Sequence, residues 1–331
     1  MRFAYEIKNG CAVVRRCYDF GNETEIPSEI NGYPVTELGA YAFSAHMDRE
    51  QLWQELGNGT VKIWNFETGE QEVSEPDAET APGLQGMQVE TVRLPEGLRK
   101  IGAYAFYNCN ALSELHFHSS LKDLGAGLFT GCHHLRRLNV TLDETETSCL
   151  KEILIEVPEK MAVTVEGQLR AKLLFPEFFE ESVENTPARI LMTHMHGSGM
   201  NFRNSFYMKK LDFRAYDACY YMARAEEDFD TVLEMTLDRL QYPVGLSEER
   251  RGDYESWLQE HLERAFADAV EKRDLDTLKW LTENGKPDAE LLSRMAVAAV
   301  DGFPEGVAYL QDRLGAFNHS KKIAALDRFE L

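Results

Sequence analysis

Two histidines one residue apart are the first candidates for chemistry in this sequence. His194-Met-His196 is followed directly by Gly-Ser-Gly. On a β-strand, residues two apart face the same side, so both imidazoles could reach one metal ion. A hydrolase site of that kind needs a third ligand and a base, but no HExxH, HxxxD or later His-rich strand follows. Two alternatives stay open: a strand that ends in a Gly-rich turn, and an anion cradle of backbone amides at 197–199.

A second pair, His116-Phe-His118, lies in a segment that recurs along the chain. Phe117 takes a buried position of the recurring pattern, so His116 and His118 must face outward. Aligned copies predict one outward column of polar residues: Glu25, Arg93, His116 and Asn139. In stacked repeats such a column lines a binding face. It is either a stripe that contacts a partner or ordinary solvated strand surface.

Other catalytic signatures are missing from the sequence. It has no GxxxxGK[ST] phosphate loop, no GxGxxG after a strand and no GxSxG nucleophile elbow. Acidic pairs such as Glu180-Glu181 are typical of solvated surface. We therefore expect a protein without enzymatic activity and without a cofactor, and the enzymatic alternative is a metal-dependent hydrolase centred on His194 and His196.

Composition and charge narrow the class of partner. The chain has 331 residues, of which 44% are apolar and 27% charged, and its formal net charge is −21. This charge repels phosphates and anionic lipids, so neither nucleic acid nor a membrane is an expected partner. No apolar stretch approaches about 18 residues and the start lacks a secretory pattern, so we expect a cytoplasmic protein. The six cysteines form no CxxC pair and are expected to be reduced thiols.

An internal repeat organises the first half of the chain. Gly102-Ala-Tyr-Ala-Phe106 recurs 23 residues later as Gly125-Ala-Gly-Leu-Phe129, and an earlier copy ends at Phe43. Both glycines are expected at tight turns with unusual backbone angles. The phenylalanines are expected inside, because one repeat cannot bury its own apolar side and copies must stack.

The repeats resemble a known family. The segments IPSEINGYPVTELGAYAF, VRLPEGLRKIGAYAFYNCNAL and HSSLKDLGAGLFTGCHHL are similar to BspA-like leucine-rich repeats, which follow LPxxLxxIGxxAFxxCxxL. The resemblance covers about residues 1–160. It implies a solenoid with a binding role, and it implies that Cys109 and Cys132 are small buried residues. Members of the family are mostly cell-surface binding proteins. This chain differs from them because its first residues do not show the pattern of a secretory signal.

Two features flank or interrupt the repeats. Phe3–Lys8 and Cys11–Tyr18 around Asn9-Gly10 predict a hairpin that closes the N-terminal end of the core. An insertion at 47–88 holds nine acidic and two basic residues. It predicts a helix over 48–56, a hairpin of 61–66 with 70–73, and either a solvated loop or a binding loop that carries Trp53 and Trp64.

The second half of the chain has a different period. Leu150–Val157 and Met161–Val165 are predicted as strands that cap the repeats, and the helical period predominates after Phe175-Pro176. The segments 269–285 and 299–315 can be aligned with each other after one shift by a single residue. They resemble ankyrin-type helix pairs over 261–315, although an ordinary helical bundle is an equal alternative.

The sequence thus predicts an α+β fold class. A short-strand, BspA-like leucine-rich-repeat solenoid occupies 1–175 with its acidic insertion, and an all-α domain of stacked helix pairs occupies 176–331. The predicted function is a non-enzymatic protein-binding or scaffold module, whose partner is another protein. The alternatives are the hydrolase and a self-assembling structural protein, and the sequence does not indicate the oligomeric state.

Overall fold

The chain folds into two compact units, Met1–Ser247 and Glu248–Leu331. The computed structural model describes residues 1–72, 74–76, 81–185 and 190–326, with the backbone alone at 183–185, 190–192 and 317–326.

The first unit contains short strands and, mainly in its later part, helices. Its strands are β1 (Arg2–Lys8), β2 (Cys11–Tyr18), β3 (Glu23–Glu25), β4 (Glu29–Ile30), β5 (Tyr33–Leu38), β6 (Val61–Asn65), β7 (Glu70–Glu72), β8 (Thr91–Arg93), β9 (Lys100–Ile101), β10 (Glu114–His118), β11 (Asp123–Leu124), β12 (Arg137–Leu142), β13 (Met161–Gly167), β14 (Ala171–Phe175), β15 (Phe179–Asn185), β16 (Ile190–His196), β17 (Phe206–Tyr207) and β18 (Lys210–Leu211). Its helices are α1 (Arg49–Gly57), α2 (Leu150–Glu156), α3 (Gly199–Arg203), α4 (Phe213–Ala218), α5 (Tyr220–Glu226) and α6 (Phe229–Gln241).

The first strand of each repeat joins one sheet, which we call the repeat sheet. Its order is β14-β13-β12-β10-β8-β3, and all of its pairs are parallel except the antiparallel pair of β13 with β14. Leu115 lies opposite Leu138, and Phe117 lies opposite Val140, so the predicted 23-residue offset is the register of the sheet. Residues directly opposite each other on adjacent strands point to the same side, so equivalent residues of successive repeats share a face of the sheet. The predicted stacking of short-strand repeats is confirmed.

A second sheet runs along the other side of the repeats in the order β11-β9-β5-β2-β1-β6-β7. β5, β9 and β11 are the second short strands of successive repeats, and they pair in parallel. The predicted N-terminal hairpin is present as β1 and β2, and Asn9 and Gly10 adopt φ values of 51° and 77° in its turn.

Three phenylalanine rings form the centre of the repeat core. Phe43 stacks on Phe106 at 5.3 Å between ring centroids, and Phe106 stacks on Phe129 at 5.6 Å. All three side chains are buried. Each ring therefore covers its neighbour, as predicted for repeats that cannot hide their apolar side alone.

The repeat glycines have a different role from the one predicted. A Cβ on Gly102 would lie 2.4 Å from the Ala40 nitrogen, and one on Gly125 would lie 2.2 Å from the Ala103 nitrogen. Neither glycine adopts a positive φ, so the expectation of unusual backbone angles was wrong. These positions exclude a side chain because the backbones of successive repeats touch there. The left-handed position is two residues later, at Tyr104 with a φ of 58°.

Cysteine thiols link the same repeats. Cys109 Sγ donates to the Phe43 carbonyl oxygen at 3.2 Å, and Cys132 Sγ donates to the Phe106 carbonyl oxygen at 3.0 Å. Burial raises the pKa of Cys109 to about 12 and also raises that of Cys132. Both residues are buried, as the resemblance implied, and neither forms the reactive thiolate at neutral pH.

Part of the insertion packs against the N-terminal hairpin. The predicted helix and hairpin are present as α1 and as β6 with β7, and residue 73 lies outside the described residues. β6 pairs with β1 and buries Val61 and Ile63, so this part of the insertion extends the second sheet. Whether the remaining part of the insertion is a solvated loop or a binding loop stays a prediction.

The C-terminal end of the repeats departs from prediction in one element. Met161–Val165 lies in the predicted strand, but Leu150–Val157 is not a strand, because Leu150–Glu156 forms α2. Leu150, Ile153 and Leu154 are buried at helical spacing. The prediction of a strand overlooked the helical spacing of these apolar residues.

The compact first unit extends to Ser247, past the predicted domain division at 175/176, which stays a prediction. The buried Arg203 side chain donates to the carbonyl oxygens of Leu154 at 2.6 Å, Val157 at 3.0 Å and Glu159 at 2.8 Å. These carbonyls lie at the end of α2, where a helix leaves acceptors unsatisfied. Residues after 175 therefore pack onto the repeats, and they include the strands β15 to β18 within the region predicted as mainly helical.

One tyrosine closes the end strand of the repeat sheet. The buried Tyr216 hydroxyl donates to the Leu174 carbonyl oxygen at 2.6 Å and accepts from the Leu174 amide at 3.1 Å. β14 has no further strand beside it within the sheet, so these backbone groups would otherwise be free to pair with another chain.

The second unit is helical. Its helices are α7 (Glu248–Glu260), α8 (Leu262–Glu271), α9 (Leu275–Asn284), α10 (Ala289–Ala298) and α11 (Pro304–Leu326). α8 packs with α9, α10 packs with α11, and the second pair packs on the first. The predicted helix pairs are present, while their likeness to ankyrin units stays a prediction. In the described part of the chain, each helix is too short or too polar to cross a bilayer.

The ring stack gives a test of the fold. We expect Phe106→Ala to lower the free energy of unfolding by about 3–5 kcal/mol, because it removes a buried ring from between two others. Denaturant unfolding measures this loss. Phe20→Ala is the matched control, since Phe20 is 67% exposed. A loss below about 1 kcal/mol at Phe106 would show that its ring is not in the core.

Thiol accessibility gives a second test. In the native protein, Ellman's reagent should modify the half-buried Cys11 and, more slowly, Cys219, whose pKa is raised by burial. The buried thiols should react only in denaturant: Cys17, Cys109, Cys132 and Cys149. Rapid modification of the buried thiols in native protein would contradict the structure.

Candidate binding face of the repeat sheet

The predicted outward column is present on the repeat sheet. Glu25 lies opposite Arg93, Arg93 lies opposite His116, and His116 lies opposite Asn139 on adjacent strands. We call these four residues the polar column. Side chains alternate in direction along each strand. The strand neighbours of the column, such as Phe117, are therefore buried, and the column faces outward.

The column lies in a groove with a cavity volume of about 370 Å³. Besides the column, polar residues from several strands and loops line it: Ser28, Glu96, His118, Thr141 and Glu166. The structure thus brings Glu25, Arg93, His116, His118 and Asn139 together at one place, which the sequence predicted from their spacing alone.

Glu114 organises the centre of this face. Its carboxylate accepts from His116 Nε2 at 2.7 Å, from Asn139 Nδ2 at 2.8 Å and from Arg137 Nε at 2.9 Å. Burial alone would raise the pKa of Glu114, but the bonds from Arg137 and His116 and the Arg137 charge outweigh it, so the pKa is lowered. Glu114 is therefore ionised and holds two members of the polar column in fixed orientations.

His116 is neutral at about pH 7 in this setting. Burial and the charge of Arg93 lower its pKa, although Glu114 opposes them. Its Nε2 lies 2.7 Å from Glu114 Oε1, and Arg93 Nη1 lies 2.9 Å from its Nδ1 and 2.5 Å from its Nε2. The contact with Glu114 is therefore a hydrogen bond of the neutral ring.

Arg93 is a cation without a carboxylate partner among the residues that the structure describes, and its guanidinium contacts the His116 ring. Three exposed carboxylates around the groove, those of Glu25, Glu96 and Glu166, likewise form no ion pair with described residues. The charges of the groove are thus available to a ligand.

Glu114 was not among the predicted site residues, because these came from equivalent positions in successive repeats and not from neighbours along one strand. Glu114 precedes His116 by two residues, so the alternation that turned His116 outward also turned Glu114 outward. That signal was present in the sequence.

The two tryptophans of the insertion do not line the groove. Trp53 lies on α1, is 52% exposed, and contacts the Glu75 carboxylate and the Arg49 guanidinium. Trp64 lies on β6, is half-buried and packs against the core. The binding role predicted for them stays a prediction.

The other histidine pair lies on β16, away from the groove. His196 Nε2 is 3.0 Å from Glu181 Oε2, and its ring stacks on Phe179 at 4.7 Å. His194 lies opposite Glu181 on the neighbouring strand. Within the described ranges, no three His, Cys, Asp or Glu side chains are arranged to hold a metal ion.

The glycines after His196 are explained by packing. A Cβ on Gly199 would lie 2.1 Å from the Pro176 carbonyl oxygen. The Ser198 amide and hydroxyl donate to Glu227 Oε1 at 3.1 and 2.6 Å. The amide predicted as part of an anion cradle is therefore bonded to a carboxylate of the same chain, and the Gly-rich turn is the interpretation that the contacts support.

Comparison with known proteins agrees with the repeat geometry. A family model described as "BspA type Leucine rich repeat region (6 copies)" matches residues 84–157. The crystal structure of a leucine-rich-repeat protein from T. pallidum matches with 16% identity over 50% of this chain and 79% of that chain. Its TM-score is 0.23, at which the likeness carries no structural argument. Comparison with curated proteins found no match.

The Glu114 centre gives a prediction with a pH dependence. Glu114→Gln should lower the free energy of unfolding by about 1–3 kcal/mol at about pH 7, because the amide turns one acceptor into a donor. The stabilisation by a carboxylate of lowered pKa is present above its unfolded pKa and lost as the pH falls through its folded pKa. The difference between the variant and the original protein should therefore shrink in acid.

Urea unfolding at several pH values measures this difference. Glu144→Gln is the matched control, since Glu144 is exposed on the loop after β12. A loss that is equal at all pH values would contradict the role of the Glu114 charge.

Proposed function

We propose, from the premise that residues 84–157 are BspA-type leucine-rich repeats, that this protein binds another protein through the groove of its repeat sheet and catalyses no reaction. Leucine-rich repeats generally mediate protein–protein interaction. The observation that carries the proposal is the polar column, which lines a cavity with unpaired charges.

The face is suited to binding because its side chains are already oriented. Glu114 fixes His116 and Asn139 by hydrogen bonds, so these groups lose little conformational freedom when a partner arrives. The backbone of the parallel strands beneath them is held in register by repeat stacking. A rigid scaffold that carries polar groups in a concavity is the arrangement expected of a recognition site.

The alternatives have less support. The metal-dependent hydrolase lacks a three-residue ligand set among the described residues, and the self-assembling protein has no specific observation in its favour. All six cysteines are free thiols, which supports the proposal of a reducing compartment such as the cytoplasm.

A triple variant tests the proposed function. Changing Arg93, His116 and Asn139 together to Ala should abolish capture of the partner and leave the fold intact, because all three side chains face the groove. The measurement is affinity purification from the native organism with quantitative mass spectrometry. It compares the triple variant with the original protein.

The matched control changes three residues outside the groove: Arg99, Lys122 and Asp123. They are exposed, do not line the groove, and their removal alters the net charge by the same amount. Proteins lost with the groove variant but retained with this control are partners of the groove. Identical sets of captured proteins for all three baits would contradict the proposal.

A further inference from the structure

The groove has an uneven distribution of charge. Glu25, Glu96 and Glu166 are exposed carboxylates on its lining, and Arg93 is the cation among the lining residues. His116 is neutral, and the nearby Glu114 charge is matched by Arg137. The lining therefore carries an excess of negative charge.

The negative charges are separated into two poles. Glu25 belongs to β3 and Glu96 follows β8, at one side of the groove, whereas Glu166 belongs to β13 at the other side. β3 and β13 are four strand steps apart in the sheet order. With strands about 4.8 Å apart, the two poles lie about 20 Å from each other across the strands.

Hydrogen-bonding side chains occupy the strands between the poles, next to the Arg93 cation on β8. His116, His118, Asn139 and Thr141 lie on β10 and β12, the strands between the two sides. Such groups suit the amides and carbonyls of a peptide backbone, which need donors and acceptors when they leave water.

We propose that the groove takes an extended segment of a partner protein that crosses the strands and carries two basic residues, one at each pole. An extended chain advances about 3.3 Å per residue, so about 20 Å corresponds to basic residues about six positions apart. This inference rests on the proposed function and names the partner chemistry of the same face. The net charge of −21 also favours encounter with basic segments.

An acidic segment is the competing occupant, with its carboxylate on Arg93. Such a ligand would gain one bidentate ion pair. It would also approach Glu25, which lies opposite Arg93 on the adjacent strand, and the other pole across the sheet. The exposed carboxylates outnumber the cation, so the observations favour the basic segment.

Labelled peptides test the proposal directly with the full chain. The probes are fluorescein-labelled Gly/Ser peptides with two lysines spaced by about two, six or ten positions, and a fourth peptide with two glutamates spaced by about six. Fluorescence anisotropy at low and high salt measures binding. The lysine peptide of the middle spacing should bind best, and salt should weaken it.

Charge-removing variants connect this binding to the poles. Glu25→Gln combined with Glu166→Gln should weaken the preferred peptide by roughly fivefold or more, the size expected for two exposed ion pairs. Glu180→Gln combined with Glu226→Gln is the control and should leave binding unchanged, since both residues are exposed and outside the groove. Circular dichroism and thermal unfolding check that both variants fold.

The outcomes separate this inference from the proposed function. Tighter binding of the glutamate peptide, binding independent of lysine spacing, or equal binding by the double variant would overturn the basic segment. If the triple groove variant still loses its partners, the proposed function stands without this inference. If the triple variant loses no partner and no peptide binds, both are wrong.

Discussion

The contact between successive repeat backbones is the constraint on which the rest of this protein depends. Gly102 and Gly125 leave no room for a side chain, because the backbone of the preceding repeat lies where a Cβ would be. The close approach of the repeat backbones brings Phe43, Phe106 and Phe129 into a continuous stack. The same spacing puts the strands in register, so that polar residues 23 positions apart become neighbours on the outer face. The core and the outer polar face thus follow from a single period.

The outer face differs from an ordinary solvated strand surface in its internal bonding. Exposed strand residues usually exchange partners with water, and isolated surface ion pairs contribute little. Here Glu114 receives three donors from three different side chains, two of them in the polar column. The hydrogen bonds fix a neutral imidazole between a carboxylate and a guanidinium. The face is therefore preorganised in its centre, while the charges at its rim form no ion pair within the described part of the chain.

Much of the repeat region could be predicted because the sequence itself repeats with a period of 23 residues. The strand register, the buried phenylalanines and the placement of Arg93, His116 and Asn139 all follow from alignment of the chain with itself. What lies after the repeats could not be predicted this way. Arg203 and Tyr216 are single polar residues, and their partners are backbone atoms 42 to 49 residues earlier, as at Leu174 and Leu154. No spacing rule connects such groups, so the packing of residues after 175 against the repeats could not be predicted.

The hydroxyl of Tyr216 has a consequence for how such an array can change in length. It satisfies both backbone groups of Leu174 on the last strand, so a repeat appended there would have to displace it. A duplication inside the array meets no such obstacle, since each internal junction presents the same glycine contact and the same ring. Each internal copy would lengthen the face by one strand, about 4.8 Å. Relatives of different length are therefore expected to vary in the middle of the array and to retain this terminus.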